Sequence, residues 1–234
     1  MTNEYDDIKE RALSLIAKQW KPVTPEQEEL LRDTIVVRKI KKNTEVYKKL
    51  EIPTFISYLI EGKIKICKDG IMGKNRIIRV VKPCDPFGYR AFFDNQRYTT
   101  GAMTLEDSVV AQIPITTVST IMRHNYDFAM SLIKHLAREL GLSDTRTINL
   151  TQKHVRGRLA EALIFLKDSY GVKEDGHTLS VYLSREEMAN LSNMTTNNAI
   201  RTLSAFASEG LILTDGRKIK ILKDDDLRKI SEFG

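Results

Sequence analysis

The apolar positions of this chain change period three times. From Ile8 to Trp20 they recur at helical spacing among charged residues, with Ile8, Ala12, Leu15 and Ile16 on one side and Pro22 beyond the end. A second short helix is predicted over 25–33. Thr24 can cap it, Pro25 suits its first turn, and Glu26, Glu28 and Glu29 crowd its positive end. From Thr34 the period falls to two. Short apolar runs at 35–40, 55–60, 63–67, 77–81, 103–105 and 109–113 are separated by turn signals such as Lys42-Asn43, Glu61-Gly62 and Asp69-Gly70. Many short strands joined this way predict a barrel-like or double-sheet β unit.

A helical stretch follows over about 118–150. Within it Met122, Tyr126, Ala129, Ile133, Leu136, Leu140, Ser143, Thr147 and Leu150 recur at alternating steps of four and three, a heptad seam. A seam this sustained favours a partner helix from a second copy over an amphipathic helix lying on its own domain. Ala129, Ile133, Leu136, Leu140 and Thr147 are the expected dimer contacts. Gly141 is a weak point for continuous helix, and Ser143 and Thr147 place hydroxyls where Leu would pack better.

Beyond Leu150 a third pattern begins. Leu159, Leu163 and Leu166 mark a helix ending near Tyr170-Gly171, and 178–183 alternates as a short strand. The stretch 183–212 reads as two short helices with a tight break. Ser184 followed by Glu187 is a capping box. Met188 and Leu191 give the first helix its apolar face, and Ala189 is small where the second helix crosses. Asn193 sits in the turn, where Asn tolerates a left-handed backbone better than most residues. Thr195 can cap the second helix. Ala199, Leu203 and Phe206 face the core, while Asn197, Arg201, Ser204 and Ser208 fall on the opposite side. A hairpin around Asp215-Gly216 follows, with Lys218 and Lys220 alternating against Ile219 and Ile221. Together these make a winged helix-turn-helix, whose second helix fits the major groove while turn and hairpin bind phosphates.

Composition narrows the class. Hydrophobic content of 41% and charged content of 29% fit a soluble globular protein. No apolar run approaches the ~20 residues that span a bilayer, and the N-terminus lacks the basic start and apolar stretch of a signal peptide. Cys67 and Cys84 are too few for a disulfide framework or an iron–sulfur cluster. They read as reduced thiols of a cytoplasmic protein, with a redox pair as the less favoured alternative. Net charge of +6 and a pI near 9.2 invite a nucleic-acid partner. Yet residues 153–234 hold 13 Lys and Arg against 12 Asp and Glu. Local placement, not bulk charge, must carry any DNA contact there.

The order of β unit, seam helix and winged helix resembles the cyclic-AMP receptor protein and fumarate–nitrate regulator (CRP/FNR) family over nearly the whole chain. Tyr58-Leu-Ile-Glu-Gly62 with Lys63-Ile-Lys-Ile66 resembles the family's Gly-turn strand pair. Pro83-Cys-Asp-Pro-Phe-Gly88 resembles its Pro-Gly-Asp-x-Phe-Gly element. Val155-Arg-Gly-Arg-Leu-Ala160 and Arg185-Glu-Glu-Met-Ala189 resemble the starts of its DNA-binding domain and helix-turn-helix. The resemblance implies an α+β fold: a cyclic-nucleotide-binding-like β-roll (double-stranded β-helix, jelly roll), a long dimerisation helix and a C-terminal winged helix-turn-helix. The expected parts are 1–117, an effector-sensing β-roll with N-terminal helices; 118–152, the dimerisation helix; and 153–234, the DNA-binding domain. It also implies a homodimer on palindromic double-stranded DNA, with half-sites about one turn apart, and contact with RNA polymerase. No cofactor, metal or membrane partner is expected.

The departures from the family pattern concern the effector. In cyclic-AMP receptors a Gly-Glu pair after that element grips the ribose, and an Arg-Ser pair further on binds the phosphate. Here Gly88 is kept, Tyr89 replaces the acid, and Tyr98 and Thr99 stand at the Arg-Ser pair. Arg90 and Arg97 lie nearby, but strand alternation makes a one-residue shift costly, and a cyclic phosphate wants a guanidinium fork. Ser143 and Asp144 align with the two hydroxyl residues that touch the adenine, and Cys84 stands where a loop glycine is usual. A different small molecule in the same pocket, or none, is therefore expected. Iron–sulfur sensing would need an N-terminal cysteine cluster. Haem sensing would need an axial ligand, and His124, His135, His154 and His177 are scattered.

On the DNA side, Arg201 matches the family arginine that reaches a guanine through its fork. Thr196 and Asn197 stand where the cyclic-AMP receptor has Arg and Glu. Asn suits adenine N6/N7 rather than cytosine N4, so the expected half-site keeps the guanine and prefers an adjacent adenine. Arg185, Thr195, Ser204 and Lys218 complete the expected contacts. The competing class is a ligand-binding regulatory protein that acts through protein partners without sequence-specific DNA binding; Arg201 and the basic wing argue against it. An enzyme is not expected, since no nucleophile triad, metal cluster or phosphate loop stands at meaningful spacing.

Overall fold

A computed structural model describes residues 2–20, 22–69 and 75–233. The chain opens with helices α1 (Thr2–Gln19) and α2 (Pro25–Thr34). Strands β1 (Val36–Ile40), β2 (Glu45–Tyr47), β3 (Phe55–Glu61), β4 (Ile64–Asp69), β5 (Asn75–Val81) and β6 (Pro86–Phe87) follow. Then come α3 (Arg90–Phe93), β7 (Gly101–Thr104), β8 (Ser108–Pro114), α4 (Ile115–His124) and α5 (Tyr126–Gln152). The remainder is α6 (Val155–Tyr170), α7 (Arg185–Leu191), α8 (Thr196–Ser208), β9 (Ile212–Asp215), β10 (Lys218–Ile221) and α9 (Asp224–Phe233). Two compact units result, Met1–Leu140 and Gly141–Gly234, and the boundary falls within α5.

In the first unit two antiparallel four-stranded sheets, ordered β1-β8-β3-β6 and β2-β7-β4-β5, form the β-roll. β3 reads as an almost continuous apolar run because both its faces are covered. Ile56, Tyr58 and Ile60 face one core with α1, α2, α4 and the start of α5. Leu59 faces a second core with Ile64, Ile66, Phe87 and Tyr98. Trp20 closes the helical side: its indole N–H donates to the Tyr58 hydroxyl at 2.8 Å, and its ring stacks on Phe128 at 4.0 Å. The turn at Gly62 has φ +88°, and a Cβ there would lie 2.3 Å from Ser108 Oγ. Only glycine fits this turn into β4.

Thr24 and Gln27 form a capping box on α2. The short β2 and β6 escape a period-two reading because they hold only three and two residues. The Asp69-Gly70 turn lies outside the described residues, though Asp69 pairs with Asn75 across β4 and β5.

The helical stretch expected over 118–150 is two helices, and this is a correction. Asn125 leaves helical conformation, at φ −137° and ψ 94°. Its Oδ1 accepts from the Phe128 N–H at 2.8 Å, starting α5, while its Nδ2 donates to Pro22 O and to Gln27 Oε1. Met122 therefore belongs to α4, not to the seam helix. Gly141 does not interrupt α5. The segment 178–183 is no strand either; it makes only single bridges, Val172 with Leu179 and Thr178 with Lys220.

The second unit packs α6 against α8 and α9, with Leu159, Leu163, Leu166, Leu203, Phe206 and Leu227 buried. β9 and β10 pair with Ile212 opposite Ile221 and Asp215 opposite Lys218. That hairpin is the wing.

Candidate nucleic-acid interface and effector site

The helix-turn-helix follows from local rules. Ser184 Oγ accepts from the Glu187 N–H at 3.1 Å while Glu187 Oε2 accepts from the Ser184 N–H at 2.9 Å, which starts α7. The turn carries Asn193 at φ +49°, and the Met194 N–H donates to Ala189 O at 2.9 Å. Thr195 Oγ1 accepts from the Asn198 N–H at 3.2 Å and caps α8. One face of α8 buries Ala199, Thr202, Leu203 and Phe206. The other exposes Asn197, Ile200, Arg201, Ser204 and Ser208.

The expected DNA-facing residues differ in their freedom. Asn197, Arg201 and Ser204 are exposed on one side of α8, and Lys218 is exposed on the wing. Thr196 is half-buried in the first turn. The Thr195 hydroxyl is engaged in the cap. Arg185 is half-buried, with a buried Nη1 that has no hydrogen-bond partner. Sequence reasoning passed over Ile200, exposed between Asn197 and Arg201, and Arg217, exposed in the wing turn. An exposed apolar residue on a polar helix face was the available signal for Ile200.

Within the first unit the expected effector residues do not form one array. Tyr98 turns inward and stacks on Tyr47 at 3.9 Å. Gly88, at φ +78°, lets this stack approach: a Cβ there would lie 3.3 Å from the Tyr98 hydroxyl. Burial pushes the phenols of Tyr98 and Tyr47 above their usual range. Thr99 and Arg97 are exposed, and Arg97 donates to Leu50 O at 2.9 Å. Ser143 and Asp144 are exposed in the second unit.

Tyr89 and Arg90 meet a group that sequence reasoning missed. Arg79 on β5 is buried, and its Nη2 donates to Asp85 Oδ2 at 3.1 Å. Its Nη1 pairs with Glu139 Oε2 at 3.1 Å, and Arg90 Nη2 donates to the same oxygen at 3.0 Å. Burial opposes the Arg79 charge, but Glu139, Tyr89 and Asp85 outweigh it and raise its pKa. The Tyr89 ring lies edge-on to His135 at 5.6 Å between centroids. Burial raises the Tyr89 phenol and lowers the His135 imidazole. Alternation places Ile77 and Arg79 on the inward side of β5, a pattern that ordinarily marks apolar residues. Arg79 is the exception that could have been noticed.

On α5 the residues Phe128 and Leu132 are buried against the β unit, and Leu136 packs partly on the same core. Ile133 and Leu140 are exposed, as is Thr147, whose hydroxyl donates to Ser143 O at 3.0 Å. Ala129 is half-buried. The side chain of Leu150 lies outside the described residues. Cys67 and Cys84 are not joined in a disulfide.

A double-sheet sensor-type β-roll, a long helix and a winged helix-turn-helix with a polar exposed helix face define a transcription regulator. The family model of the cyclic nucleotide-binding domain matches residues 37–125, and that of the Crp-like helix-turn-helix domain matches 157–230. The CRP-like cAMP-activated global transcriptional regulator of Mycobacterium tuberculosis is 25% identical over 172 residues, covering 73% of this chain and 77% of that protein. Transcriptional regulator LdrP of Thermus thermophilus is 25% identical over 187 residues, covering 80% and 92%. In fold, FixK2 of Bradyrhizobium japonicum superposes with a TM-score of 0.76 at 18% identity, over 84% of this chain and 96% of that one. The chain belongs to the CRP/FNR family of transcription regulators. The relatives it matches are named as regulators, not enzymes. Among the described residues no helix is long and apolar enough to cross a membrane.

Proposed function

We propose that this regulator acts in the cytoplasm as a homodimer on palindromic DNA. Each α8 enters a major groove, the wing holds phosphate, and RNA polymerase is the further partner. In this reading 1–117 senses, 118–152 dimerises and 153–234 binds DNA. The observation that carries it is the two-sided α8: Ala199, Leu203 and Phe206 are buried while Asn197, Arg201 and Ser204 stand free on the other face. A helix seated this way by its core presents base-reading side chains at a fixed depth. Fluorescence anisotropy with half-site variants tests it. Arg201→Ala should lose about 1–3 kcal/mol at one guanine and little elsewhere. An unchanged guanine preference would refute the docking.

The β unit does not suit cyclic AMP. A cyclic phosphate needs an unpaired guanidinium fork. The position of the phosphate-binding arginine holds Tyr98, packed against Tyr47. Arg90 is committed to Glu139, and Arg97 to a backbone carbonyl. The effector is a different small molecule, or the regulator works without one.

A further inference from the structure

The α8 helix carries a large apolar side chain on the face it turns away from its core. Among the described residues of α8, Ile200 alone is large, apolar and exposed, at 43%. Ala199, Leu203 and Phe206 are 2% exposed or less, so the core is served by other residues. At about 100° per residue, Asn197, Ser204 and Ser208 fall along one line of the helix. Ile200 projects about 60° to one side of Asn197, and Arg201 about 40° to the other. Ile200 thus belongs to the polar face, in the N-terminal half of α8, where a recognition helix meets base edges. Helix propensity does not favour isoleucine at an exposed site: Ala, Leu, Gln and Lys all form helix better, and its exposed methyls gain nothing from water.

We propose that Ile200 is a specificity-determining residue that reads a thymine through its C5-methyl, close to the guanine read by Arg201. The proposal rests on the regulator reading above and deepens it. Base edges in the major groove present hydrogen-bond donors and acceptors, and the thymine methyl is the apolar group among them. Isoleucine has no side-chain donor or acceptor, so that methyl is the feature of a base edge it can match. Its β-branch holds χ1 in one rotamer within a helix, and its methyls therefore approach the groove from a fixed position. A cytosine at the same place would bring its N4 amino group against hydrocarbon, and a buried donor without an acceptor is costly. The exposed face of α8 then reads DNA by three chemistries: a guanidinium fork at Arg201, an amide at Asn197 and a hydrocarbon surface at Ile200.

The test is fluorescence anisotropy with full-length protein and duplexes carrying the motif it retains from a random library. Each thymine of a half-site, on either strand, is replaced in turn by deoxyuridine, which removes the methyl and leaves base pairing intact. At one of these positions wild type should bind about fourfold more weakly, the worth of one buried methyl group. Ile200→Ala keeps a good helix former at an exposed site, and should bind the thymine and deoxyuridine duplexes equally at that position. Ile200→Val keeps the β-branch and should retain the discrimination. Guanine preference is measured on the same samples. Wild type that ignores deoxyuridine at every thymine, or a deoxyuridine penalty unchanged in Ile200→Ala, would overturn the role of Ile200 while guanine preference stands. Wild type without any guanine preference defeats the regulator reading, and the role of Ile200 with it.

Discussion

The His135 ring packs edge-on against Tyr89 at 5.6 Å between centroids. Burial lowers its pKa from the ordinary 6.5; Glu139 and Asp85 favour its proton, while Arg79 and Arg90 oppose it. The unfolded chain therefore takes up a proton near pH 6.5 that the folded ring resists. Stability from this source is complete above pH 6.5 and is lost as pH falls through the lower folded pKa. Thermal unfolding of wild type should weaken below pH 6.5, and His135→Gln should weaken less over the same range. Parallel curves would remove His135 from the account. Cys84 illustrates a residue legible only by comparison. It occupies a usual glycine position, and it does adopt φ +66°, a left-handed backbone that a thiol side chain tolerates poorly. Arg79 was harder to read, because nothing in one sequence announces that a strand arginine points inward to a carboxylate on a distant helix, Glu139.

At the scale of elements, the winged unit was readable because its signals are local. Ser184 and Glu187, Asn193 and Thr195 each act within a few residues, and each does so in the structure. Thr195→Ala removes the α8 cap and should lower the stability of the second unit by about 1 kcal/mol. Thr196→Ala removes a neighbouring hydroxyl outside the cap and should cost less. Urea unfolding of both variants decides this, and equal losses would contradict the capping account. The break between α4 and α5 was not readable. Asn125 ends one helix and starts the next through contacts with Pro22 and Gln27, about a hundred residues away. Heptad spacing ran through it because Met122 and Tyr126 keep the right interval by position alone.

At the scale of the whole molecule, α5 has two kinds of apolar residue. Phe128 and Leu132 are spent on the β unit, and Tyr126, Ile133 and Leu140 are spaced seven apart and exposed. A seven-residue stripe of this kind suits a second helix. Leu136, expected in the same stripe, leans instead on its own core. Leu140→Asp should convert a dimer to a monomer in analytical ultracentrifugation; a persistent dimer would place the interface elsewhere. The palindrome depends on that dimer. The most direct measurement is therefore selection of double-stranded DNA from a random library by the wild-type protein, followed by sequencing of what is retained. The account predicts a two-fold symmetric motif, each half holding a guanine beside an adenine, with half-site centres about one helical turn apart. Retention without sequence preference, or a motif with no two-fold symmetry, would contradict it.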